Sequence, residues 1–281
     1  MRRSEVFADG LLDGRVVLVT GGGTGLGRAA AAELRRCGAE VVICGRRDDV
    51  LAATAAEIGA SFVAGDVRED ADAVRMVDVT LERHGRLDAL VNNAGGQYFS
   101  PAEAIQPKGW RAVTRLNVGG TERMTRIAAE RAFLPPGGAG GTVLNVTLSP
   151  HHGLAGMTHS SAARAAVEGY TRALADAWAE HGVAVIALAA GHFDTASLRK
   201  YPEAVWRAAA RTVPLQRLGR EEEHAWLVAL CCSPLGRIFS GSVVTLDGAR
   251  DNWFGPWPPA ALTGAEREVP LEQRGPKPPG S

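Results

Sequence analysis

Short apolar runs alternate with longer helical patterns along most of this 281-residue chain, and this rhythm constrains the fold more than any other feature. Ala29–Leu34 has helical spacing after the first run, and Val50–Ile58 has it after the second. Such alternation predicts βαβ units, in which the connecting helices bury parallel strands on both faces. We therefore predict an α/β fold with one doubly wound parallel sheet of about seven strands and helices on both faces. The predicted strands are Val16–Val19, Val41–Ile43, Phe62–Ala64, Leu87–Val91, Val143–Val146, Val183–Leu188 and Val243–Leu246.

The alternation continues without a linker almost to the end of the chain, so it predicts a single domain rather than two. We place this domain at residues 11–250, after a short lead at residues 1–10 and before a tail at residues 251–281. The tail contains seven of the chain's 15 prolines, which exclude regular helix or sheet there. Two alternatives remain for it: disorder, or packing of its first part on a neighbouring surface or subunit. The aromatic residues that favour packing are Trp253, Phe254 and Trp257.

The charge balance excludes several classes of partner. Lys+Arg and Asp+Glu both number 31, so we expect no general attraction to nucleic acid or to an anionic membrane. The longest apolar run, Val183–Ala190, is far shorter than the roughly 18 residues that a membrane span requires. The four cysteines form no CxxC pair, and no metal-ligand spacing is present, so no metal site is predicted. We expect a cytoplasmic protein that acts on a small molecule.

A glycine-rich turn lies between the first predicted strand and the helix that follows it. Glycines let a backbone approach a ligand closely, and a helix N-terminus offers unpaired N–H groups and a partial positive charge. Together they bind the pyrophosphate of a dinucleotide in a Rossmann-type fold. The alternative is a tight turn without a ligand. The candidate cofactor contacts here are Gly21, Gly23, Thr24, Gly25, Leu26 and Gly27.

Two arginines, Arg46 and Arg47, follow the second predicted strand, about 20 residues beyond the glycines. An NAD site places Asp or Glu at this point, against the ribose hydroxyls. Guanidinium groups would instead bind a 2′-phosphate, so we predict NADP(H) as the cofactor. The alternative interpretation is two solvated surface arginines.

Further motifs match one known family at several separate places. Two of these motifs follow predicted strands closely: the third strand is followed by Asp66-Val67, and the fourth by Asn92-Asn93-Ala94-Gly95. Further along the chain, the segment between the fourth and fifth strands contains Asn117-Val118-Gly119-Gly120. The sixth strand is followed by Ala190-Gly191-His192-Phe193-Asp194-Thr195. With the glycine turn, these resemble the short-chain dehydrogenase/reductase family from Leu11 to Gly248. The resemblance implies a homo-oligomer, either a tetramer or a dimer. It also implies further cofactor contacts from Asp66, Val67, Asn93, Ala94, Gly95, Gly191 and Thr195.

The chain departs from this family at the reacting group. The family's Tyr-xxx-Lys pair is replaced by Ser160 and Arg164, and its serine position falls on Leu148. A serine hydroxyl titrates far above a phenol, so Ser160 is a poor acid or base for reducing a carbonyl. The segments Gly95–Glu103, Lys108–Trp110 and His159–Arg164 resemble the trans-2-enoyl-CoA and 2,4-dienoyl-CoA reductase branch. That resemblance implies reduction of a conjugated C=C bond with NADPH.

Reduction of an α,β-unsaturated thioester places negative charge on the carbonyl oxygen, which hydrogen-bond donors stabilise. By alignment, Ser160 and Asn117 would supply these donors, and Arg164 would bind the nicotinamide ribose. The alternatives are a serine in the first turn of a helix, an asparagine that only bridges a helix kink, and a surface or phosphate-contacting arginine. The candidates for proton delivery are a bound water and Ser149, His151, His152 and His159.

The segment Ser197–Arg220 occupies the position where the family covers its substrate. It contains six cationic residues against Glu203 alone, a net charge of +5, which suits the phosphates of an acyl-CoA or a solvated helix face. We predict an NADPH-dependent reductase of enoyl thioesters. Two alternatives stay open: a carbonyl or imine reductase of a biosynthetic pathway, and an NADPH-binding pseudoenzyme or scaffold.

Overall fold

The computed structural model describes residues 3–136, 140–154, 156–196, 198–200 and 209–252. Seven parallel strands form one sheet in the order β3-β2-β1-β4-β5-β6-β7, which confirms the predicted α/β fold. The strands are β1 (Val16–Thr20), β2 (Glu40–Gly45), β3 (Ser61–Ala64), β4 (Ala89–Asn92), β5 (Gly141–Leu148), β6 (Val183–Ala190) and β7 (Val243–Leu246).

The main helices cover both faces of the sheet. One core cluster packs β1 and β2 against the first two helices and the last one, through Leu34, Leu51 and Val228. The other packs the opposite face against α3 and α5, through Met76 and Met124. The helices are α1 (Gly25–Arg36), α2 (Asp48–Ile58), α3 (Asp70–His84), α4 (Pro107–Thr114), α5 (Gly120–Ala128), α6 (Thr158–Ala177) and α7 (Glu221–Cys232).

The segment between β4 and β5 is more helical than the sequence predicted. Two π-helical turns, Arg115–Gly119 and Ala129–Phe133, extend α4 and α5 into one long helical run. Helix α6 begins at Thr158, directly before the segment His159–Arg164 that carries the family resemblance.

The two ends of the chain differ in what the structure describes. In the lead, the hydroxyl of Ser4 donates to the carboxylate of Glu33 on α1 at 2.5 Å, and Phe7 packs against the core. The predicted tail lies outside the described residues from residue 253 onward.

Within the described ranges, no helix is long and apolar enough to cross a membrane, and no group of three His, Cys, Asp or Glu residues is placed to hold a metal ion.

Candidate active site

Two adjoining cavities lie at the carboxyl ends of the strands, where the strand order reverses between β1 and β4. In doubly wound sheets this reversal is where ligands bind. The first cavity, of about 360 Å³, is called here the cofactor cleft, and the second, of about 570 Å³, the substrate cavity. Leu26, Asn93, Gly95 and Thr195 line both, so a ligand in one would contact a ligand in the other.

The glycine turn lines the cofactor cleft with backbone. Gly21 has φ +66° and Gly25 φ +53°, a region that residues with a side chain rarely adopt. A Cβ atom on Gly27 would collide with the carbonyl oxygen of Gly21 and the amide of Asn93. Helix α1 starts at Gly25 with no acidic residue in its first turn, so its N-terminus keeps its affinity for anions. These features fit a dinucleotide pyrophosphate.

Thr20 ties the glycine turn to the loop after β4. Its hydroxyl accepts hydrogen bonds from the backbone N–H groups of Asn93 (3.0 Å) and Ala94 (2.9 Å) and donates to the carbonyl of Val91 (3.2 Å). The Asn93 side chain donates back to the carbonyl of Thr20 at 3.0 Å. Hydrogen bonds therefore join the glycine turn and the motif after β4 into one continuous wall of the cofactor cleft.

Charged residues occupy the end of the cofactor cleft beside β2 and β3. Arg46 and Arg47 are exposed and line the cleft together with Asp66 and Val67. The guanidinium of Arg68 binds the Asp66 carboxylate, and this bond holds the pKa of Asp66 below its usual value; the charge of Arg46 acts in the same direction. Within the described residues, neither Arg46 nor Arg47 forms an ion pair, so both guanidinium groups are available to a ligand phosphate.

Ser160 and Asn117 lie behind the substrate cavity rather than in its lining. Ser160 is fully buried in the first turn of α6, and its hydroxyl donates to the side-chain oxygen of Gln97 at 3.0 Å; Gln97 does line the cavity. The amide of Asn117 donates to the carbonyls of Gly96 (2.8 Å) and Val113 (2.9 Å) and accepts from the N–H of Gly96. Both of its N–H groups are therefore occupied by backbone.

Arg164 lies at the junction of the two cavities. It lines the substrate cavity, and its Nη2 packs so closely on Gly95 that a side chain there would collide with it. Its Nη1 donates to the carbonyl of Val146 at 2.8 Å. Burial lowers its pKa to about 10, which still leaves the guanidinium charged at neutral pH. No carboxylate among the described residues pairs with it, so it is a fixed positive charge at this junction.

The four side chains considered for proton delivery do not belong to the lining of the substrate cavity. Ser149 is buried and donates to the carboxylate of Asp247. His151 lies between Asp251 (2.5 Å) and Glu168 (3.2 Å), and the ring of His152 is 3.6 Å from Asp251. His159 is buried against the ring of Tyr98, at 4.4 Å between centroids, and burial lowers its pKa. The structure thus does not bring Ser149 or these histidines into the cavity.

The sequence analysis missed two polar residues that do line the substrate cavity, Gln97 and His192. His192 directly follows Gly191, and its Nδ1 is 3.2 Å from the hydroxyl of Thr212. A histidine within an apolar segment beside a cofactor motif was the available signal. Gln97 had no distinguishing signal, because its importance comes from its contact with Ser160, 63 residues away.

The charge over the substrate position is smaller than the +5 counted in the sequence. Arg199 pairs with Asp194 at 3.2 Å, and Arg217 pairs with Glu223 at 2.7 Å. Both carboxylates lie just outside the counted segment, so they compensate part of its charge. The side chains of Lys200, Glu203 and Arg207 lie outside the described residues.

Comparison with known proteins gives a consistent result. The sequence model of the short chain dehydrogenase family matches residues 15–206. A probable 2,4-dienoyl-CoA reductase of Bacillus subtilis is 35% identical over 88% of this chain and 100% of its own length. A peroxisomal 2,4-dienoyl-CoA reductase of Pongo abelii is 34% identical over 87% of this chain and 86% of its own length.

Solved structures show the same architecture. A citronellol catabolism dehydrogenase of Pseudomonas aeruginosa superposes with a TM-score of 0.77 at 36% identity, covering 88% of this chain and 98% of that one. A short chain dehydrogenase from Bacillus anthracis gives a TM-score of 0.78 at 31% identity, covering 86% and 99%.

Proposed function

The chain belongs to the short chain dehydrogenase family of oxidoreductases, and on that premise we propose that it uses NADPH to reduce the C=C bond of an α,β-unsaturated acyl thioester. The names of the dienoyl-CoA reductase relatives favour this substrate class. The observation that carries the proposal is the replacement of the family's Tyr and Lys by Ser160 and Arg164. Neither residue can serve as a proton-relaying phenol, whereas Arg164 can support a negative charge directly and Ser160 can do so through Gln97.

The cofactor would lie with its pyrophosphate on the glycine turn and its 2′-phosphate against Arg46 and Arg47. Thr195 and Gly191 lie where the nicotinamide end would reach the substrate cavity. When bound, NADPH supplies a hydride to the β-carbon of the conjugated system. A fixed guanidinium at Arg164 then stabilises the negative charge that develops on the substrate.

Gln97 presents the donor that Ser160 would have provided directly. Because the Ser160 hydroxyl donates to the Gln97 side-chain oxygen, the Gln97 amide is oriented with its NH₂ group free for the cavity. That N–H would donate to the thioester oxygen as it becomes an enolate. Ser160 and Asn117 then act as positioning residues, the first for Gln97 and the second for the Gly96 backbone. A water would deliver the proton to the α-carbon.

A panel of substrates tests the proposal. NADPH consumption is measured with crotonyl-CoA, a 2,4-dienoyl-CoA, and a ketone and an imine of matched size. We expect turnover of the two thioesters only. Turnover of only the ketone or the imine would contradict the proposal and would indicate a carbonyl or imine reductase instead. The similarity to a citronellol catabolism dehydrogenase is the observation that favours this second candidate. Tight NADPH binding without any turnover would indicate a pseudoenzyme.

The same assay tests the role of Gln97. In Gln97→Met, kcat should fall on the order of 100-fold, since one oxyanion donor is lost without a change of volume. Ser160→Ala should lower kcat by a smaller factor, because Gln97 remains but loses its anchor. Gln106→Met changes an exposed glutamine outside the cavity and is the matched control. Full activity in both Gln97→Met and Ser160→Ala would remove these residues from the mechanism.

A further inference from the structure

His192 is a polar side chain in a cavity wall that is otherwise largely apolar. The neighbouring lining includes Leu148, Met157 and Phe193, and the nearest polar partner is Thr212. His192 is half-buried there, and a polar group partly withdrawn from water favours a hydrogen-bond partner. The mechanism proposed above leaves His192 unused, so its remaining hydrogen-bonding capacity needs an explanation.

The partner of Nδ1 determines which nitrogen of the His192 ring carries the proton. The hydroxyl of Thr212 donates its single hydrogen to the carbonyl of Ala209, at 2.7 Å. In this arrangement the Thr212 oxygen accepts toward the ring, 3.2 Å away, which places the hydrogen of a neutral ring on Nδ1 and its lone pair on Nε2.

The electrostatic surroundings keep this ring neutral. Desolvation lowers the pKa of His192 to about 4; the charge of Arg250 lowers it as well, while Asp247 opposes the shift. At neutral pH the ring is uncharged, and Nε2 is an acceptor without a hydrogen of its own. A substrate carbonyl, which also only accepts, cannot pair with it.

We infer that Nε2 of His192 accepts a hydrogen bond from an N–H or O–H group of the substrate, so that the cavity selects thioesters that carry a donor near the reacting carbons. In a pantetheine-type carrier arm, an amide N–H lies two methylene groups from the thioester sulfur and is a donor of this kind. A hydroxyl on the acyl chain is the other source of the same chemistry. The inference rests on the proposed function for the thioester and on the geometry of His192 for the donor.

Three crotonate-type thioesters separate these sources. The N-acetylcysteamine thioester has the carrier amide, the S-butyl thioester has no donor, and the S-butyl thioester of 4-hydroxycrotonate has a donor on the acyl chain only. For the wild-type protein, kcat/KM should favour one of the donor-bearing compounds over S-butyl crotonate about tenfold, the value of one neutral hydrogen bond. Which compound is favoured identifies the source.

Two variants test the residue itself. His192→Phe keeps an aromatic ring but removes both nitrogens, and should abolish the tenfold preference. Thr212→Val removes the acceptor that fixes the tautomer and should reduce the preference. Thr114→Val, which loses a similar hydroxyl bond to the carbonyl of Trp110 far from the cavity lining, should keep it. Retained NADPH affinity shows that each variant is folded.

Binding separates this inference from the proposed function. Calorimetry of the NADP⁺-loaded protein with saturated butanoyl analogues of the same three thioesters needs no turnover. If the donor-bearing analogue binds about tenfold more tightly and His192→Phe removes the difference, the inference stands even without C=C reduction. An unchanged preference in His192→Phe, or no preference in the wild-type protein, would overturn it.

Discussion

The cofactor cleft and the substrate cavity share four lining residues but are built in different ways. Backbone forms much of the cofactor cleft: the glycine turn, the N-terminus of α1 and the loop that Thr20 holds through two N–H groups. The substrate cavity is formed mainly by side chains from the segment after β4, from β5 and α6, and from the segments that follow β5 and β6. Its polar groups are held by partners far away in sequence, as Ser160 holds Gln97.

This difference predicts that the two regions tolerate substitution to different degrees. A backbone cradle depends on the absence of side chains at a few glycines, so the same residues are needed whatever the substrate. A side-chain cavity can exchange its groups and keep its shape. At the family's serine position this chain has Leu148, which lines the cavity without offering a hydrogen bond. The departures from the family pattern are accordingly concentrated in the substrate cavity.

The largest effect is expected from a single methyl group in the cofactor cleft. In Gly27→Ala, the new Cβ would collide with the carbonyl oxygen of Gly21 and the Asn93 amide, so the turn must open. We expect NADPH affinity to fall more than about 100-fold, since the pyrophosphate loses its cradle. Affinity is measured by titration of the cofactor fluorescence.

Gly169→Ala is the matched control for this variant, because a Cβ at that position on α6 meets no atom within 4 Å. It should bind NADPH like the wild-type protein and gain slightly in helix stability. Equal affinity in the two variants would show that the glycine turn tolerates a side chain, and the contrast between the two regions would fail.

A smaller effect is expected at the opposite end of the same cleft. Replacing both Arg46 and Arg47 by Ala should weaken NADPH binding roughly 10- to 100-fold, the worth of charge-assisted hydrogen bonds to one phosphate. Affinity for NADH should change little. Arg111→Ala, an exposed arginine on α4 outside the cleft, is the control. Equal losses for both cofactors, or none, would favour the interpretation as solvated arginines.

The sequence predicted the sheet because its apolar runs match the strands closely, with β7 found at Val243–Leu246 as expected. It did not predict the helical run from Pro107 to Phe133. Helices α4 and α5 each have an apolar face, but two π-helical turns shift the helical register between them, and Asn117, Gly120 and Thr121 are also buried, so no single apolar period runs through the whole segment. The rhythm that predicts a buried helix requires apolar residues at the buried positions.

In the candidate active site, too, one part could be predicted from the sequence and another could not. Strand-and-turn spacing predicted the glycine turn and the two arginines after β2, and the family resemblance implied the contacts after β3 and β4; these residues do line the cofactor cleft. The partners of Ser149 and His192 could not be predicted, since Asp247 and Thr212 are 98 and 20 residues away. Ser149 carries a hydroxyl near the end of β5, but only the structure shows that the hydroxyl is bound to Asp247.

An effect on stability rather than on binding distinguishes the two regions by their response to acid. Beside the substrate cavity, His224 on α7 is fully buried, its ring lies 5.8 Å from that of Phe193, and among the described residues neither of its nitrogens has a hydrogen-bond partner. Burial lowers its pKa to about 4. The unfolded chain, with a histidine pKa of about 6.5, binds more protons between these values, so stability is complete above about pH 6.5 and is lost as the pH falls toward 4.

His224→Leu replaces this ring by an apolar side chain and should remove its share of the acid sensitivity, about 3 kcal/mol of unfolding free energy near pH 4. Urea unfolding at about pH 7 and about pH 4.5 measures the difference. His192 and His159, whose pKa values are also lowered, remain in this variant, so the slope should become smaller rather than vanish. His84→Leu, a control at the end of α3 and outside the lining of both cavities, should leave the slope unchanged. An unaltered slope in His224→Leu would mean that the acid response does not originate beside the substrate cavity.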